Sequence, residues 1–466
     1  MEVVSRTATP VVFVVLARLL TPADYGIMAT ASIVIAFSQM FWDAGLSKAL
    51  IQAKEDPEQA AQVVFWTNTA LGIAIYVALV VSAPAVASFF DSPKSAPVLR
   101  VLGLQVVIAS LSSVQQALFL RDMNFKRLFW IRLASAFVPG LFSIPMAFFG
   151  QGVWALVAGS LAGQTMNLVM LWRSSSWRPR WGYDQTQARR LFRFGSWVML
   201  EAFGAWLIQW GDNLIVGRCL GVHDLGVYRT GVMLINVIFG LVLNPFVPVV
   251  YPIFSRLQDQ HEELCKTFHR VNRLVLAIAI PVGVGVFLVG PEIATALFGV
   301  KWAGLGFVLS CLGLMNGVAW LVGLNSELYR AMGRPDVNTK LMYFQLLYFL
   351  PAFYFSAQYG LKAFACTRFL VALAATPIHI WLCRRMLRVP WSYLWVEGRP
   401  MFMATGAMLA VVGCLRAGLI QFPAVSSKPL LALLVCAGAV TYAGALWILD
   451  RSFVLQSRSL LVRSGK

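Results

Sequence analysis

The stretch Arg18-Leu19-Leu20-Thr21-Pro22-Ala23-Asp24-Tyr25-Gly26 is a short polar turn between two apolar runs. It returns 200 residues later as Arg218-Cys219-Leu220-Gly221-Val222-His223-Asp224-Leu225-Gly226. Arg, Leu, Asp and Gly keep the same register in both copies, and apolar segments flank each copy on both sides. An internal repeat set among apolar segments reports the architecture of a membrane protein. The chain therefore reads as two homologous halves. In each copy Arg stands near an interface, Asp starts the next helix and Gly closes the turn.

Composition places the turn in its medium. Hydrophobic residues make up 59% of the 466 and charged residues only 12%, against about 25% charged in soluble domains. The mean hydropathy of +0.72 agrees with a chain that lies mostly in a bilayer. A net charge of +18 raises nucleic acid as a partner. Lys and Arg, however, sit in short clusters between apolar runs, not along one aromatic-interleaved face, which favours the positive-inside pattern of a membrane protein over a nucleic-acid footprint. The seven cysteines are scattered, without a CxxC pair, and read as small apolar packing residues. Arg6 and Pro10 interrupt the first apolar run and no cleavage pattern follows it. It is expected to be a first spanning helix that begins a turn or two late, not a signal peptide.

A helix needs about 20 apolar residues to cross the hydrocarbon. On that scale spanning segments are predicted near 3–20, 27–46, 63–89, 98–120, 128–149 and 152–172, then 195–217, 226–252, 272–298, 303–328, 341–358 and 361–383, and finally 400–420 and 429–449. The predicted fold is an all-α polytopic membrane protein of about 14 transmembrane helices. Its domains are an N-terminal six-helix bundle (1–172), a basic cytoplasmic linker (173–193), a C-terminal six-helix bundle (194–383), two accessory helices (400–449) and a basic tail (450–466). An even number of spans between the two turns gives both copies the same orientation, so the repeat is parallel, with its pseudo-two-fold axis along the membrane normal. With the N-terminus inside, 26 Lys and Arg fall on the cytoplasmic side and eight on the other. That asymmetry predicts both termini cytoplasmic and both turns on the outer face. Every outward loop is short, so no outer domain is expected.

The ordered stretches carry a family resemblance. They are Leu16-Ala17-Arg18 through Gly26, Gly45-Leu46-Ser47-Lys48-Ala49-Leu50-Ile51-Gln52, Gly152-Val153-Trp154-Ala155-Leu156-Val157 and Asp212-Asn213-Leu214-Ile215-Val216-Gly217-Arg218. Tyr251-Pro252-Ile253-Phe254-Ser255-Arg256-Leu257-Gln258 and Ala331-Met332-Gly333-Arg334-Pro335-Asp336 complete them. In this order and spacing the sequence resembles the Wzx-like polysaccharide exporters of the multidrug/oligosaccharidyl-lipid/polysaccharide flippase superfamily. The resemblance implies a V-shaped transporter of two six-helix bundles around a central cavity. It implies that the substrate is an undecaprenyl-pyrophosphate-linked oligosaccharide, an O-antigen or exopolysaccharide repeat unit, moved from the inner to the outer leaflet of the bacterial inner membrane by alternating access. Membrane lipids, a polysaccharide polymerase and chain-length machinery are the other candidate partners. Relatives carry a longer basic N-terminus, and the pattern of 400–449 is looser than the rest.

No enzyme is expected. Walker-type, HExxH, GxSxG and aspartate-rich metal motifs are absent from the sequence, so no cofactor or metal is predicted. Gly283-Val284-Gly285 lies in an apolar run without phosphate-loop context, and His261, Glu262, Glu263 and His269 read as a solvated charged loop. Flipping is a polarity problem: the lipid tail can stay in the bilayer, but pyrophosphate and sugars need a hydrated path lined with cations and hydrogen-bonding groups. Arg6, Arg132, Arg229 and Arg368 lie within the predicted spans. A charge at the bilayer centre costs at least ~2.5–3.5 kcal/mol, so such residues face a cavity or a partner.

Arg368 is the deepest of these and the first candidate for a phosphate-facing cation. Arg229 is a second candidate, or else an anchor or a partner for Asp224 or Asp212. Arg6 and Arg132 lie near cytoplasmic helix ends, where snorkelling is an equal reading. Two acids, Glu201 and Asp212, fall eleven residues apart on one face of the seventh span, with Gln209 near the same level. They are candidates for proton or cation coupling, with pairing to an arginine as the structural alternative. Trp206 and Trp210 could stack on sugars or pack against helices or lipid. The nearest competing function is a cation-coupled multidrug-type exporter on the same scaffold. That function needs lumen acids without excess arginine, whereas an anionic head group needs arginines. A membrane polymerase or glycosyltransferase is a third reading, but it would need a sizeable outer loop or a soluble catalytic domain.

Overall fold

A computed structural model describes residues 2–43, 46–52, 57–182, 185–243, 246–388, 392–420 and 427–455. Among the described residues there is no strand. The chain runs through α1 (Glu2–Leu19), α2 (Pro22–Asp43), α3 (Leu46–Gln52), α4 (Pro57–Phe89), α5 (Ser95–Leu102), α6 (Leu104–Arg121), α7 (Phe125–Phe148) and α8 (Val153–Ser174). Next come α9 (Gln185–Leu243), α10 (Val247–Arg256), α11 (His261–Ile293), α12 (Leu305–Ala319) and α13 (Asn325–Ala331). The last four are α14 (Pro335–Ala357), α15 (Leu361–Leu387), α16 (Ser392–Ile420) and α17 (Ser427–Leu449).

Ten of these helical stretches are long and apolar enough to cross a membrane. The protein is a multi-pass membrane protein. Helix lies over every predicted span, but not always as one independent crossing. The predicted span 303–328 is broken into two helices, α12 and α13, whereas α5 and α6 run on through Gly103, whose backbone stays helical (φ −56°, ψ −24°). The spans 195–217 and 226–252 meet inside α9, which departs from helical geometry at Gly221 (φ 84°, ψ 177°). That positive φ favours glycine and gives α9 two limbs. α14 falls short of the apolar criterion because tyrosines and Gln345 dilute its leucines and phenylalanines.

The molecule divides into two compact units, Met1–Arg229 and Thr230–Lys466. In the first, α2 packs with α4, α5 and α8 around Ile27, Ala31, Ile35, Leu79, Val98 and Val157, and Val222 of α9 joins that core. A second core beneath α3 gathers Leu46, Leu50, Val64, Phe65 and Val114. Small residues permit the tightest crossing. A Cβ on Gly159 of α8 would overlap the Ser143 hydroxyl of α7, and one on Gly163 would stand 2.8 Å from Pro139. Gly159 and Gly163 thus let α7 and α8 approach closely.

The linker begins by folding back on the first unit. Trp66 of α4 donates its indole N–H to the Arg180 carbonyl (3.0 Å) and stacks on Trp181 at 4.5 Å. Trp172 donates to the Leu111 carbonyl (2.9 Å).

In the second unit α11 and α12 cross through glycines. A Cβ on Gly283 would meet the Gly313 carbonyl oxygen and the Gly317 Cα, both at 2.8 Å. Gly283 thus serves the close packing of α11 on α12. Two ion pairs fasten the last helices to α11. Arg416 of α16 donates to Glu292 (2.7 Å), and Arg273 pairs with Asp450 just after α17. Tyr442 of α17 adds a hydrogen bond to the Ala277 carbonyl (2.7 Å). The pair that reads as loosest in sequence is therefore firmly tied.

Candidate functional site

Candidate chemistry in the first unit gathers where α9 folds back. In the helical hairpin made by its two limbs, Asp212 before Gly221 faces Tyr228 after it. The fully buried Tyr228 hydroxyl donates to Asp212 Oδ2 at 2.6 Å. Asp212 Oδ1 accepts from the backbone N–H and the side-chain amide of Asn213, both at 2.7 Å. The carboxylate is 4% exposed and satisfied by charge-assisted bonds, so it is held in one orientation.

Arg229 does not contact Asp212 directly. Its guanidinium lies over the Trp210 ring, 4.3 Å from the centroid, where it still feels the charge of Asp212. Trp210 is thus a cation platform, a role that neither sugar stacking nor lipid packing anticipated. Trp206 packs on Phe37 at 5.0 Å, in agreement with its packing alternative.

The other candidates stand apart from this cluster. Arg132 is on an exposed face of α7. Arg368 is half-buried in α15, with its guanidinium over Phe353 at 5.4 Å, and belongs to the second unit. The backbone is helical at Arg6 and Glu201, but their side chains lie outside the described ones. Of the predicted site residues, the described part of the first unit brings together Asp212 and Arg229.

Sequence reasoning missed three partners. Tyr228 and Asn213 complete the Asp212 site. A register argument could have found Tyr228, because residues 212 and 228 are equidistant from Leu220 at the turn. The third is His379 in α15, whose ring nitrogen meets Gln345 of α14 at 2.8 Å. Its backbone carbonyl accepts from Asn325 and Tyr329 at 3.1 and 3.3 Å. Among the described residues no group of three or more His, Cys, Asp or Glu gathers in metal-binding geometry.

The repeated turns also differ from expectation. Thr21 and Asp24 form a reciprocal cap at the start of α2, with the Thr21 N–H and hydroxyl donating to Asp24 at 2.9 and 2.6 Å. Gly26 does not close the turn: it lies inside α2, and Gly226 lies inside the second limb of α9. In the second copy Gly221 takes the position of Thr21 and makes the turn instead.

The protein is a polytopic helical membrane protein with charged and polar groups fixed inside its spans, and its fold has solved counterparts. The fold matches that of the lipid II flippase MurJ in an inward closed conformation (TM-score 0.77, 12% identity, 97% of this chain and 98% of that one). It also matches an inward-facing multidrug resistance MATE transporter of the MOP superfamily (TM-score 0.64, 13% identity, 82% of this chain and 94% of that one). Residues 15–305 match the model of the polysaccharide biosynthesis protein family, and the chain belongs to that family.

Among its relatives is the teichuronic acid biosynthesis protein TuaB of Bacillus subtilis, 24% identical over 97% of this chain and 94% of that one. The lipopolysaccharide biosynthesis protein WzxC of Escherichia coli is 24% identical over 74% of this chain and 70% of its own. The succinoglycan biosynthesis transport protein ExoT of Rhizobium meliloti is 25% identical over 65% and 62%.

Proposed function

We propose that this protein flips a lipid-linked oligosaccharide, carried on undecaprenyl pyrophosphate, across the bacterial inner membrane by alternating access. Two six-helix bundles and an accessory helix pair would make fourteen crossings, with both termini cytoplasmic. A polysaccharide polymerase and chain-length machinery would take the product. The observation that carries this reading is the setting of Arg229. Its guanidinium lies over an aromatic face inside a span, and the planar N–H edges of a guanidinium suit a phosphate. Names given to relatives on three glycan pathways, and the flippase fold, support it.

Asp212, beside this arginine, is proposed to couple transport to a proton or cation, with Glu201 as a second acid on the same helix. A buried carboxylate whose hydrogen-bond donors are fixed can change charge only if they rearrange. That rearrangement would act on the hairpin itself. Arg368 is proposed as a further phosphate-facing cation, with Arg132 and Arg6, by their places in the sequence, as additional cavity cations.

The multidrug-type reading keeps its footing in Asp212 and in the MATE fold, and the two functions make opposite demands on arginine. In proteoliposomes holding labelled lipid-linked oligosaccharide, the wild type exposes the glycan on the far leaflet. The Arg229→Ala, Arg368→Ala double variant is expected to lose at least about 100-fold in rate, as when charge-stabilising donors are removed. Wild-type exposure no faster than that variant or empty liposomes would sink the flippase mechanism. Exposure unchanged by Asp212→Asn and by collapse of both proton and sodium gradients would remove the coupling role.

A further inference from the structure

The two copies of the repeated turn, 200 residues apart, touch each other. A Cβ built on Gly26 would overlap the Val222 carbonyl oxygen and stand 2.6 Å from its carbonyl carbon. A Cβ built on Gly226 would overlap the Pro22 carbonyl oxygen and stand 2.9 Å from the Gly26 nitrogen. The contacts are reciprocal: position 26 of one copy meets position 222 of the other, and 226 meets 22. A two-fold axis passing between the turns produces this pattern, the self-complementary contact of an isologous interface.

Only glycine permits it, since an alanine on either side would drive two backbones apart. Nearby contacts dock the second copy further. Arg218 pairs with Asp91 at 2.7 Å across an exposed edge and lies over Phe89, and a Cβ on Gly217 would stand 2.8 Å from Phe90.

We propose that Gly26 and Gly226 are positioning residues of an outer closure, a backbone-to-backbone seal that must part once in each transport cycle, with Arg218–Asp91 as its latch. This rests on the alternating-access reading above and on the outward placement of both turns. Three features suit a seal over a permanent joint. The closest approaches are between backbone atoms, and Val222 is only half-buried at the edge of the first core, which it leaves when the turns part. The latch is an exposed ion pair, which is weak and reversible. Each turn also keeps its own cap, Thr21–Asp24 in one and the Gly221 bend in the other, so either can move as a preformed piece. The wide polar head of a lipid-linked glycan could not leave past two backbones in van der Waals contact.

The experiment uses the full chain with exposed Cys219 changed to Ser and with Pro22→Cys and Val222→Cys introduced. A short bis-methanethiosulfonate that reductant cleaves should bridge the two cysteines. Bridging should stop glycan exposure in proteoliposomes, and reductant should restore it. Adding Gly26→Ala or Gly226→Ala should cut bridging about tenfold and raise labelling of Pro22→Cys by an impermeant maleimide, as expected of a displaced two-state equilibrium. Gly285→Ala, whose Cβ would meet nothing within 4 Å, should change neither.

Three results overturn the closure: no bridging in the parent, equal bridging in the alanine variants, or a bridged protein that transports at the unbridged rate. Bridging and labelling need no substrate. A parent that bridges as expected but exposes no glycan, bridged or unbridged, would count against the proposed function and leave the closure standing.

Discussion

The Asp212 carboxylate is held by Tyr228 from the returning limb of α9 and by Asn213 beside it. An acid within a predicted span is conspicuous, and its helical face could be worked out from its spacing to Glu201. Its partners could not, because Tyr228 belongs to the returning limb and is reached only through the bend at Gly221. The Asp212–Arg229 pair is likewise legible as proximity but not as geometry, since Trp210 intervenes. Tyr228→Phe should therefore be costly although no charge changes. It removes a 2.6 Å donor from a buried carboxylate, and leaving such a group under-satisfied costs about 1–3 kcal/mol. Detergent-solubilised Tyr228→Phe should unfold at lower temperature than wild type. Asp212→Asn, which keeps an oxygen to accept from Tyr228, should fall less. Equal melting of Tyr228→Phe and wild type would show that the hydroxyl carries no stability.

Among the elements, α16 and α17 lie where the sequence places them but are tied to α11 by ion pairs that the sequence did not show. Arg416 falls inside the predicted span 400–420 and counts among the charges of its outer end. α16 runs to Ile420 as predicted, and Arg416 stands inside it against Glu292 of α11. Hydropathy alone cannot show this, because a single arginine near a helix end reads the same whether it snorkels or pairs. The Glu292 side chain is 8% exposed and that of Arg416 28%. Removing one member of a buried pair strands the other charge, at a cost of about 3–5 kcal/mol, and the partial exposure of Arg416 favours the low end. Arg416→Met alone should sharply reduce folded protein, measured as the monodisperse peak on size exclusion. The Glu292→Leu, Arg416→Met double variant should recover most of it. No recovery would mean that the pair does more than neutralise charge. The motif Gly333-Arg334-Pro335-Asp336 also resolves into element geometry. Gly333 takes φ 69° after α13, Pro335 opens α14, and Asp336 accepts from Arg334 and Lys340 at 3.0 and 2.9 Å. Those two cations hold the exposed carboxyl well below the usual carboxylate range.

For the whole molecule, the class of fold was legible because hydropathy and the repeat are long-range averages over many residues. The order of helices followed from them, and the family from short motifs kept in order along the chain. The helix break at Gly221, and the aromatic strap that folds 173–182 back on α4, depend on single contacts and left no such average. Orientation rests on the same kind of average. With 26 Lys and Arg on one side and eight on the other, the bias is too large for one misplaced loop to reverse. Fusions of a reporter that works only outside the cytoplasm, such as alkaline phosphatase, should be active after Lys94 and after Lys301. Fusions after Arg180, Arg388 or Lys466 should be inactive, while a fluorescent protein at those three sites should mature. A phosphatase active after Lys466 but silent after Lys94 would invert the molecule, put the repeated turns on the cytoplasmic face, and turn the proposed outer closure into an inner one.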